Sequence, residues 1–584
     1  MKILLTIIGI PLLFLFSLFQ YSALNNEYIG LGNFIRMNEE VTLTKKVNPK
    51  PGEQLKSVTI LIWQRRLDGI SVFLESPSGI RIELTRSNGK YGYWYRGTTF
   101  TDDADTLIYT AQHPFKGEYR PHQFIGWLNQ GEIKGKWKLI VKNRHPFSRT
   151  GVIAYWKLNF SEKVKPLHSI ESSTLPVLVI NTNKKKAIGD DKKTKADIYI
   201  LNNKTINTVA DTSQVKSVAV KIKVRGFSSR NLPKKSYSVD LSTIKDSSLF
   251  QSLGLPPADE WILNGNFMEK SLIRNSLVYH LYKESGYDAS TGKHVEVILN
   301  GAYIGVYVLQ NKIEPSPHFL KDTWNNANGF MVKIDSPVDK KRGFYTTSKG
   351  WNAEHHIYFQ YIYPSAKQIK PEQEHFITQK ISSFENKLIA KSPTATLDDI
   401  IDVRSFVDYL IFEELCKNND GYNLSCNLYL NKENKIAIGP VWDFDRSLGN
   451  STSGFTRSIE GWKIGVHKHN EYHPTPLWWK TLLANEQFRK TVVLRWKELS
   501  EKTLSEKNIV YLIDSLSQPL MKVQERNFKT WPVWGISRSN FYTDEGIKNY
   551  QDEINDLKQW LITRRSWMNK ELLKNDGPVF YHML

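Results

Sequence analysis

The amino-acid sequence predicts a multidomain protein in which an N-terminal all-β sandwich is followed by a larger α+β domain. Its 584 residues exceed the size at which a single hydrophobic core stops growing. Over residues 28–162 short apolar runs alternate with turn residues, without helical periodicity. Over residues 175–584 β-rich runs are mixed with amphipathic stretches. The polar stretch 163–174 between them is predicted to be a linker.

The composition is that of an ordinary globular protein with an excess of positive charge. Hydrophobic residues make up 40% of the chain and charged residues 24%, which excludes a disordered or fibrous protein. The net charge of +20 favours acidic partners such as phosphates, anionic polymers or an anionic membrane surface. No nucleic acid is expected as a partner, because no zinc-ligand spacing and no concentrated basic helix accompanies the charge.

Cysteine usage excludes a disulfide scaffold. Cys416 and Cys426 are the two cysteines of the chain, whereas small disulfide-stabilised domains are rich in cysteine. The sequence leaves open whether these two residues pair.

Residues 1–24 predict that the protein is exported. Lys2 precedes a nearly unbroken apolar run from Ile3 to Phe19, which is typical of a signal peptide. The candidate cleavage site near Ala23 has Tyr21 where a small residue is preferred, and the run is almost long enough to cross a bilayer. A cleaved signal peptide and an uncleaved membrane anchor therefore both stay open. Either one predicts a secreted, periplasmic or envelope-associated protein.

Residues 28–162 predict a β-sandwich because their apolar residues recur with period two. Ile70, Val72 and Leu74 alternate in this way, as do the apolar residues of the segment GKWKLIV. One face of each strand should therefore be buried. Short strands with frequent turns between them are typical of a sandwich.

The order of motifs in this region resembles the P domain (P/Homo B) that accompanies proprotein convertases and many bacterial secreted proteases. The resemblance is carried by the motifs RLDGISVFLESPSG, TTFTDDA, PFKGEYRP, GKWKLIV and TGVIAYWKLNF. It implies a jelly-roll accessory domain with a supporting or targeting role, which in this family sometimes holds Ca²⁺. Asp102 and Asp103 are the candidate calcium ligands, because carboxylates are hard oxygen ligands. The alternative is that both aspartates lie in a solvated turn.

The second domain is predicted to begin with a strand, a loop and a second strand. The first strand ends at Arg225, and the loop contains FSSRNLPKKS. Lys235 has the same parity as Tyr237 and Val239, so its ammonium group is expected on the apolar face. A buried ammonium needs an anion beside it; the alternative is a lysine near a strand end that reaches water. Arg225 and Ser228 add hydrogen-bond donors that suit phosphate oxygens.

Two further elements complete the predicted β-rich lobe. Asn300 and Gly301 separate two β-rich runs in VEVILNGAYIGVYVL, which indicates a hairpin with a type I′ turn. Leu272, Leu277 and Leu281 recur with helical spacing, which predicts one amphipathic helix in this lobe.

Carboxylates follow the next predicted helix and hairpin. An amphipathic helix over residues 406–416 should give way to a loop at Asn418–Gly421, which contains Asp420. A short hairpin then leads to Asp443 and Asp445, which point to the same side of an extended chain and can hold Mg²⁺. Phosphoryl transfer requires a carboxylate that orients the hydroxyl nucleophile, a carboxylate on the metal and a cation on the phosphates. Asp420, Asp443 and Lys235 can fill these roles.

Ordered motifs of this second domain resemble the CotH family of spore-coat-type atypical kinases. They are KVRGFSSRNLPKKSYSV, LNGNFMEKSLIRN, VILNGAYIGVYVL, EELCKNNDGYNLSCNLYL and IGPVWDFDRSLGN, followed by RNFKTWP and LKQWLITRRSWM. The resemblance runs from about residue 175 to residue 570. It implies a divergent protein-kinase fold that uses ATP and Mg²⁺ or Mn²⁺ to phosphorylate serine on protein substrates.

The resemblance also implies roles for individual residues. Asp420 matches the catalytic-loop aspartate, Asp443 matches the metal-binding aspartate of the WDFD motif, and Lys235, with Lys234 as its rival, matches the lysine that contacts phosphate. Asn427 is assigned to the metal shell, with Asn423 as the alternative.

Two positions depart from the family pattern. Phe227 replaces a polar residue in the RGFSS segment, and Gln310 stands where a glutamate is expected. Neither departure removes one of the proposed core roles.

The predicted function is that of an exported atypical protein kinase. It would transfer the γ-phosphoryl group of ATP to serine or threonine of surface, envelope or secreted proteins. The alternative is a surface adhesion or assembly protein that keeps the fold without phosphoryl transfer, because exported destinations contain little ATP and a P domain commonly serves as an accessory.

Overall fold

The computed structural model describes most of the chain beyond the N-terminal segment. The described ranges are 33–88, 92–144, 150–203, 205–242, 249–337, 342–351, 354–389, 396–451, 454–465, 473–536 and 547–573. The predicted signal peptide or anchor, residues 1–24, lies outside them. Within these ranges no helix is both long enough and apolar enough to cross a membrane.

The strands fall into an N-terminal group and a barrel, followed by a separate C-terminal sheet. They are β1 (Asn33–Ile35), β2 (Glu40–Val47), β3 (Gln54–Trp63), β4 (Ile70–Glu75), β5 (Arg81–Arg86), β6 (Trp94–Thr101), β7 (Gly117–Tyr119), β8 (Gly135–Asn143), β9 (Gly151–Ser161), β10 (Ser172–Ser173), β11 (Val177–Thr182), β12 (Thr194–Leu201), β13 (Asn207–Thr208), β14 (Val218–Arg225), β15 (Ser236–Asp240), β16 (Glu260–Asn264), β17 (Gly292–Leu299), β18 (Ala302–Asn311), β19 (Met331–Ile334), β20 (Gly343–Lys349), β21 (His356–Tyr363), β22 (Cys426–Leu430) and β23 (Ile436–Ile438).

The α-helices of the described residues all follow barrel strand β16 in the sequence. They are α1 (Arg274–Glu284), α2 (Lys321–Asn325), α3 (Pro371–Ile389), α4 (Leu397–Ile400), α5 (Val403–Cys416), α6 (Gly454–Arg457), α7 (Trp478–Ala484), α8 (Glu486–Glu501), α9 (Glu506–Ser517), α10 (Gln524–Thr530) and α11 (Tyr550–Leu572).

Strands β1–β9 form two sheets, which we call the N-terminal β region. One sheet has the order β1-β9-β3-β6-β7 and the other the order β2-β8-β4-β5. Ile70, Val72 and Leu74 are fully buried, as the period-two pattern predicted. The prediction of an all-β N-terminal region followed by a mixed α/β region is therefore confirmed.

Seven strands of the second region close into a barrel with the order β11-β12-β14-β15-β16-β18-β17. The predicted strand-loop-strand unit is the antiparallel pair β14–β15. The predicted hairpin is β17–β18, and both of its turn residues, Asn300 and Gly301, have positive φ, at 49° and 80°. A type I′ turn requires this conformation at both positions.

The N-terminal β region and the barrel share one buried hydrophobic cluster. Ile60 and Leu74 from the two N-terminal sheets belong to the same cluster as Ile222 and Val239 of the barrel. Burial of apolar surface is the main favourable term in folding. The two β units are therefore joined by a continuous core.

Helices α3 and α5 contact the five-stranded sheet β20-β21-β19-β22-β23. Helices α7, α8 and α11 pack on these two helices, whereas α10 packs on barrel strand β18. Helix α5 lies at the centre of this part, with Ser405 and every later residue of the helix buried. The helix predicted around Leu272, Leu277 and Leu281 is α1. It begins at Arg274, so Leu272 precedes it with a positive φ of 62°.

Candidate functional site

Two loops meet at the C-terminal end of helix α5. The helix ends at Cys416, and the main-chain oxygen of that residue accepts a hydrogen bond from Leu448 N–H at 2.8 Å. The N–H of Asn419 donates to the main-chain oxygen of Arg446 at 3.1 Å. These two bonds hold loop 417–425 against loop 439–450.

Three predicted site carboxylates come together where these loops meet, and we call them the aspartate cluster: Asp420, Asp443 and Asp445. The negative charge of Asp420 contributes to a raised pKa at both Asp443 and Asp445. One oxygen of Asp420 accepts a hydrogen bond from Asn419 Nδ2 at 3.1 Å, which fixes the direction of the carboxylate. The fold thus brings into one place residues that are separated by a hairpin in the sequence.

Helix α1 holds the loop that carries Asp443. The N–H of Asp443 donates to Tyr279 Oη at 3.2 Å, and the N–H of Phe444 donates to Asn275 Oδ1 at 2.7 Å. Asp443 itself has a positive φ of 69°, a conformation that costs a non-glycine residue on the order of 1–2 kcal/mol. Side chains of α1 therefore stabilise a strained backbone at the centre of the cluster.

The surroundings of the aspartate cluster disfavour the charged forms of two of its carboxylates. Burial raises the pKa of Asp443, and the charge of Asp420 raises it further. Burial also raises the pKa of Asp445 well above its ordinary value, with Asp443 as the next cause. The cations that oppose the rise at Asp443 are Arg225, Arg446 and Lys333. Carboxylates that repel one another in a poorly solvated place favour a bound divalent cation.

Asn427 lies beside the site, opposite a lysine that the sequence analysis missed. Lys333 of β19 pairs directly with Asn427 of β22, so the two side chains share one face of the sheet. The positive charge of Lys333 opposes the raised pKa of Asp443, and Lys333 forms an ion pair with Asp335. The amide of Asn427 donates to Pro440 O at 2.9 Å. The sequence around Lys333 shows only that this lysine occupies an alternating position in a short strand, so its place near the aspartate cluster could not be predicted from it.

The donor set fits a metal that retains water ligands. Among the described residues, no three or more His, Cys, Asp or Glu side chains are arranged so that they could hold a metal ion by themselves. Mg²⁺ is usually bound through one or two carboxylates together with substrate phosphates and waters. Asp443 and Asp445 supply two carboxylates of this kind, and burial raises the pKa of both.

The two lysines predicted to contact phosphate have protein partners instead. Lys235 is buried, as its parity predicted, but its anion is Glu83 of the N-terminal β region, at 2.6 Å. Lys234 Nζ donates to Val306 O at 2.6 Å and to Asn527 Oδ1 at 2.8 Å. Burial lowers the pKa of Lys234 to about 7. Neither ammonium group contacts the aspartate cluster in the described structure, so their role toward phosphate stays a prediction.

Arg225 is the predicted phosphate-binding residue that does lie next to the cluster. Its guanidinium carbon is 5.9 Å from the ring centre of Trp442, and that ring stacks on Tyr279 at 5.7 Å. Burial lowers the pKa of Arg225, and the charge of Asp443 opposes this effect. Ser228, three residues after Arg225 in the loop, is exposed.

The loop after Arg225 requires glycine at its first position. Gly226 has a φ of 101°, and a Cβ built there would lie 1.8 Å from Ser229 Oγ. The backbone therefore turns sharply past the serines. Phe227, the departure from the family pattern, is exposed and lies against the guanidinium of Arg230.

The two candidate calcium ligands have different surroundings. Both oxygens of Asp102 accept main-chain N–H groups, from Ile125 at 3.0 Å and from Gly126 at 2.9 Å. Burial raises the pKa of Asp102 to about 6. Asp103 is exposed and lies 3.8 Å from Lys56. Asp102 thus caps the short helical turn that begins at Ile125, and calcium binding stays a prediction.

Cys416 and Cys426 are both buried and both free. The question that the sequence left open is thereby answered: the structure contains no disulfide between them.

A cleft of about 560 Å³ opens beside the loop that carries Asp420. Asn423 lines it and donates from Nδ2 to the main-chain oxygen of His473 at 2.8 Å. Burial lowers the pKa of His473, and the charges of Asp335 and Asp420 oppose this effect. Other lining residues are Tyr345, Glu354, His355, His356 and Tyr358. Sequence reasoning did not find this cleft, because its walls come from widely separated segments.

Comparison with known proteins covers the part of the chain that builds the aspartate cluster. The family model described as CotH kinase protein matches residues 222–568. The inner spore coat protein H of Bacillus subtilis (strain 168) is 23% identical over 383 residues, which are 66% of this chain and 94% of that protein. The match includes the loop after α5, the WDFD segment and helix α1. The chain therefore belongs to the CotH kinase protein family.

Proposed function

We propose that this protein is an exported atypical protein kinase that transfers the γ-phosphoryl group of ATP to serine or threonine hydroxyls. The observation that carries the proposal is the convergence of Asp420, Asp443 and Asp445. Burial and neighbouring carboxylates disfavour the charged forms of Asp443 and Asp445, and a divalent cation would offset both effects. The barrel and the helical part, with this cluster between two hydrogen-bonded loops, support a divergent protein-kinase fold. Family membership supports the same function.

Each residue of the cluster has a distinct role in this proposal. Asp443 and Asp445 would hold Mg²⁺ or Mn²⁺, with Asn427 beside them. The metal would neutralise charge on the phosphates of ATP. Asp420 would orient the acceptor hydroxyl and accept its proton. Arg225, next to Asp443, would contribute positive charge toward the phosphates.

The cleft beside Asp420 is the proposed place for the acceptor. It is lined by Asn423, the third residue after Asp420, and by His473. The charge of Asp420 opposes the lowering of the His473 pKa by burial. Its volume of about 560 Å³ lies in the range of ligand-binding clefts. In this proposal a side chain carrying a hydroxyl would approach Asp420 from the cleft.

The N-terminal β region is proposed to be a P domain with a jelly-roll fold. Its two sheets and their buried alternating faces support this assignment. Association with the cell envelope is carried over from the similar Bacillus subtilis protein, which is named an inner spore coat protein. A membrane tether or cleaved signal peptide at residues 1–24 and a calcium ion at Asp102 and Asp103 remain parts of the proposal.

A non-catalytic adhesion or assembly protein is the second candidate. One observation favours it: the ammonium groups of Lys234 and Lys235 are engaged by protein partners rather than open toward the aspartate cluster. Binding of ATP separates the two candidates. A ligand at about a hundred times its Kd stabilises the folded state by roughly 2.7 kcal/mol, whereas a site without function would give no shift.

The deciding experiment uses protein without residues 1–24, incubated with γ-labelled ATP and Mg²⁺ or Mn²⁺ and a serine-rich acceptor protein. Asp443→Asn should abolish metal-dependent ATP binding and labelling. Asp420→Asn should retain ATP binding and lower turnover about 10²–10⁴-fold. Asp514→Asn, at an exposed position of helix α9, is the matched control and should behave like the unmodified protein. Equal loss of ATP binding in the first two variants would contradict the assigned roles.

A further inference from the structure

A buried ion cluster joins the N-terminal β region to the barrel. Glu83 of β5 and Lys235 just before β15 lie 2.6 Å apart, and each side chain is only 4% exposed. His122 Nδ1 lies 3.0 Å from Glu83, and Arg86 Nε lies 2.6 Å from it. The Nη1 atom of Arg86 lies 3.0 Å from Oδ2 of Asp190, so the network extends to Asp190. Glu83 is thus the central anion of a network that spans the two units.

Lys235 also holds the loop that leads from the strand carrying Arg225. Its ammonium group donates to the main-chain oxygen of Arg230 at 2.9 Å. Within the loop, Asn231 N–H donates to Ser228 O at 3.0 Å, which forms a short helical turn. One ammonium group therefore connects the N-terminal β region to the turn that presents Ser228.

The other end of this loop lies at the aspartate cluster. Arg225 precedes Gly226 directly, and its charge acts on Asp443. The loop is therefore fixed at two points, by Arg225 at the candidate metal site and by Lys235 at Glu83. Without Glu83, Lys235 would lie near Arg86 and would be left with the charge of Asp190, which is already paired with Arg86.

We propose that Glu83 is a positioning residue for nucleotide binding: through Lys235 it fixes loop 226–235, which carries the donors for the phosphates of ATP. The inference rests on the proposed kinase function for its ligand. It assigns the N-terminal β region a direct part in the site, and it assigns Lys235 the role of an anchor whose ammonium group stays on Glu83 when ATP is bound.

A double-mutant cycle tests this role. Glu83→Gln, Lys235→Met and the double variant are prepared in the protein without residues 1–24, and the Kd for ATP with Mg²⁺ is measured at a temperature at which every variant is folded. Each single variant should weaken ATP binding about 10- to 100-fold, as loss of a supporting hydrogen bond typically does. The double variant should be no weaker than either single one, because both changes release the same contact.

The double variant also separates positioning from stability. Removing one member of a buried pair leaves an uncompensated charge, whereas removing both is far less costly. The double variant should therefore recover thermal stability and still bind ATP weakly. Glu75→Gln is the matched control, because Glu75 pairs with Arg81 and Lys138 inside the N-terminal β region. It should leave the Kd unchanged.

Two outcomes would overturn the proposal. If Glu83→Gln tightens ATP binding while Lys235→Met abolishes it, the lysine leaves Glu83 to bind phosphate. If Glu83→Gln lowers stability without changing the Kd, its role is structural only. Hydrogen exchange of residues 226–232 gives a second readout that does not depend on ATP: exchange should rise in Glu83→Gln and not in Glu75→Gln. Failure of unmodified protein to bind ATP would refute the kinase function alone.

Discussion

At the scale of single residues, the burial of Asp445 lowers the stability of the folded state when its carboxylate is charged. Its carboxylate is poorly solvated and lies near Asp443, and both effects favour its protonated form. Such a group lowers the free energy of unfolding at any pH at which it is ionised in the unfolded chain. Strongly perturbed pKa values of this kind cluster at functional sites.

This cost predicts a pH-dependent stabilisation by Asp445→Asn in metal-free protein. The folded-state pKa is raised above the ordinary value of 3.8, so the stability associated with the protonated carboxyl is present below that value and is lost as the pH rises through the folded-state pKa. The variant should therefore be more stable than the unmodified protein at pH 8, by about 1 kcal/mol or more, and similar to it near pH 4. Thermal denaturation measures the difference.

The control and the contradicting result follow from the same charge argument. Mg²⁺ should stabilise the unmodified protein at pH 8 and should stabilise Asp445→Asn less. Asp514→Asn, at an exposed position, should show no such trend. A stability gain that is the same at both pH values would contradict the prediction.

Single residues also show where sequence reasoning reaches its limit. The burial of Lys235 follows from its parity with Tyr237 and is confirmed. The identity of its anion does not follow, because Glu83 comes from another part of the chain and reaches the lysine through tertiary packing. A periodic pattern specifies which face of a strand is buried but not what lies against that face.

At the scale of elements, helix α1 links the barrel to the aspartate cluster. Asn275 accepts the N–H of Phe444, and Tyr279 accepts the N–H of Asp443. Both side chains therefore come from one turn of the same helix. A shift of α1 would move the loop that carries the candidate metal ligand.

Asn275→Ala is expected to destabilise this contact. The buried N–H of Phe444 would lose its acceptor, at a cost of about 1–3 kcal/mol, and metal-dependent ATP binding should weaken. Urea denaturation measures the first effect and titration with ATP the second. Asn275→Asp retains an acceptor oxygen and should lose less main-chain protection at residues 443–446. Equal effects of the two variants would show that the hydrogen bond to Phe444 is not the cause.

Elements with strong local patterns are predicted better than their ends. The turn at Asn300 and Gly301 and the end of helix α5 near Cys416 are both confirmed. The beginning of α1 is not, because Leu272 has helical spacing but a left-handed backbone. Its side chain is buried all the same, so the hydrophobic pattern reports burial at a position where the helix is absent.

At the scale of the whole molecule, the N-terminal β region shares a hydrophobic core with the barrel. Ile60 and Ile222 belong to one hydrophobic cluster, and Arg120 donates to the main-chain oxygen of Thr530 at 3.1 Å. The sequence predicts two domains with a linker at 163–174, but the shared core could not be read from it. Contacts between domains leave no periodic pattern.

A chain of residues 163–584 should therefore be much less stable than protein without residues 1–24. The truncation exposes apolar barrel surface and leaves Lys235 without Glu83. Scanning calorimetry should show one main transition for the longer protein and a lower Tm for the truncated one. Adding Lys235→Met to the truncated chain should recover part of the loss, because no unpaired charge remains. An unchanged Tm after truncation would contradict the shared core.

Strand β5, which carries Glu83, is also the last strand of its sheet. Two of its main-chain oxygens accept hydrogen bonds from another segment: Gln123 N–H donates to Glu83 O and His122 N–H donates to Leu84 O, both at 3.0 Å. Open strand edges invite pairing with other chains and hence aggregation. The segment that contains His122, a member of the buried ion cluster, thus also shields this edge of the sheet against edge-to-edge association.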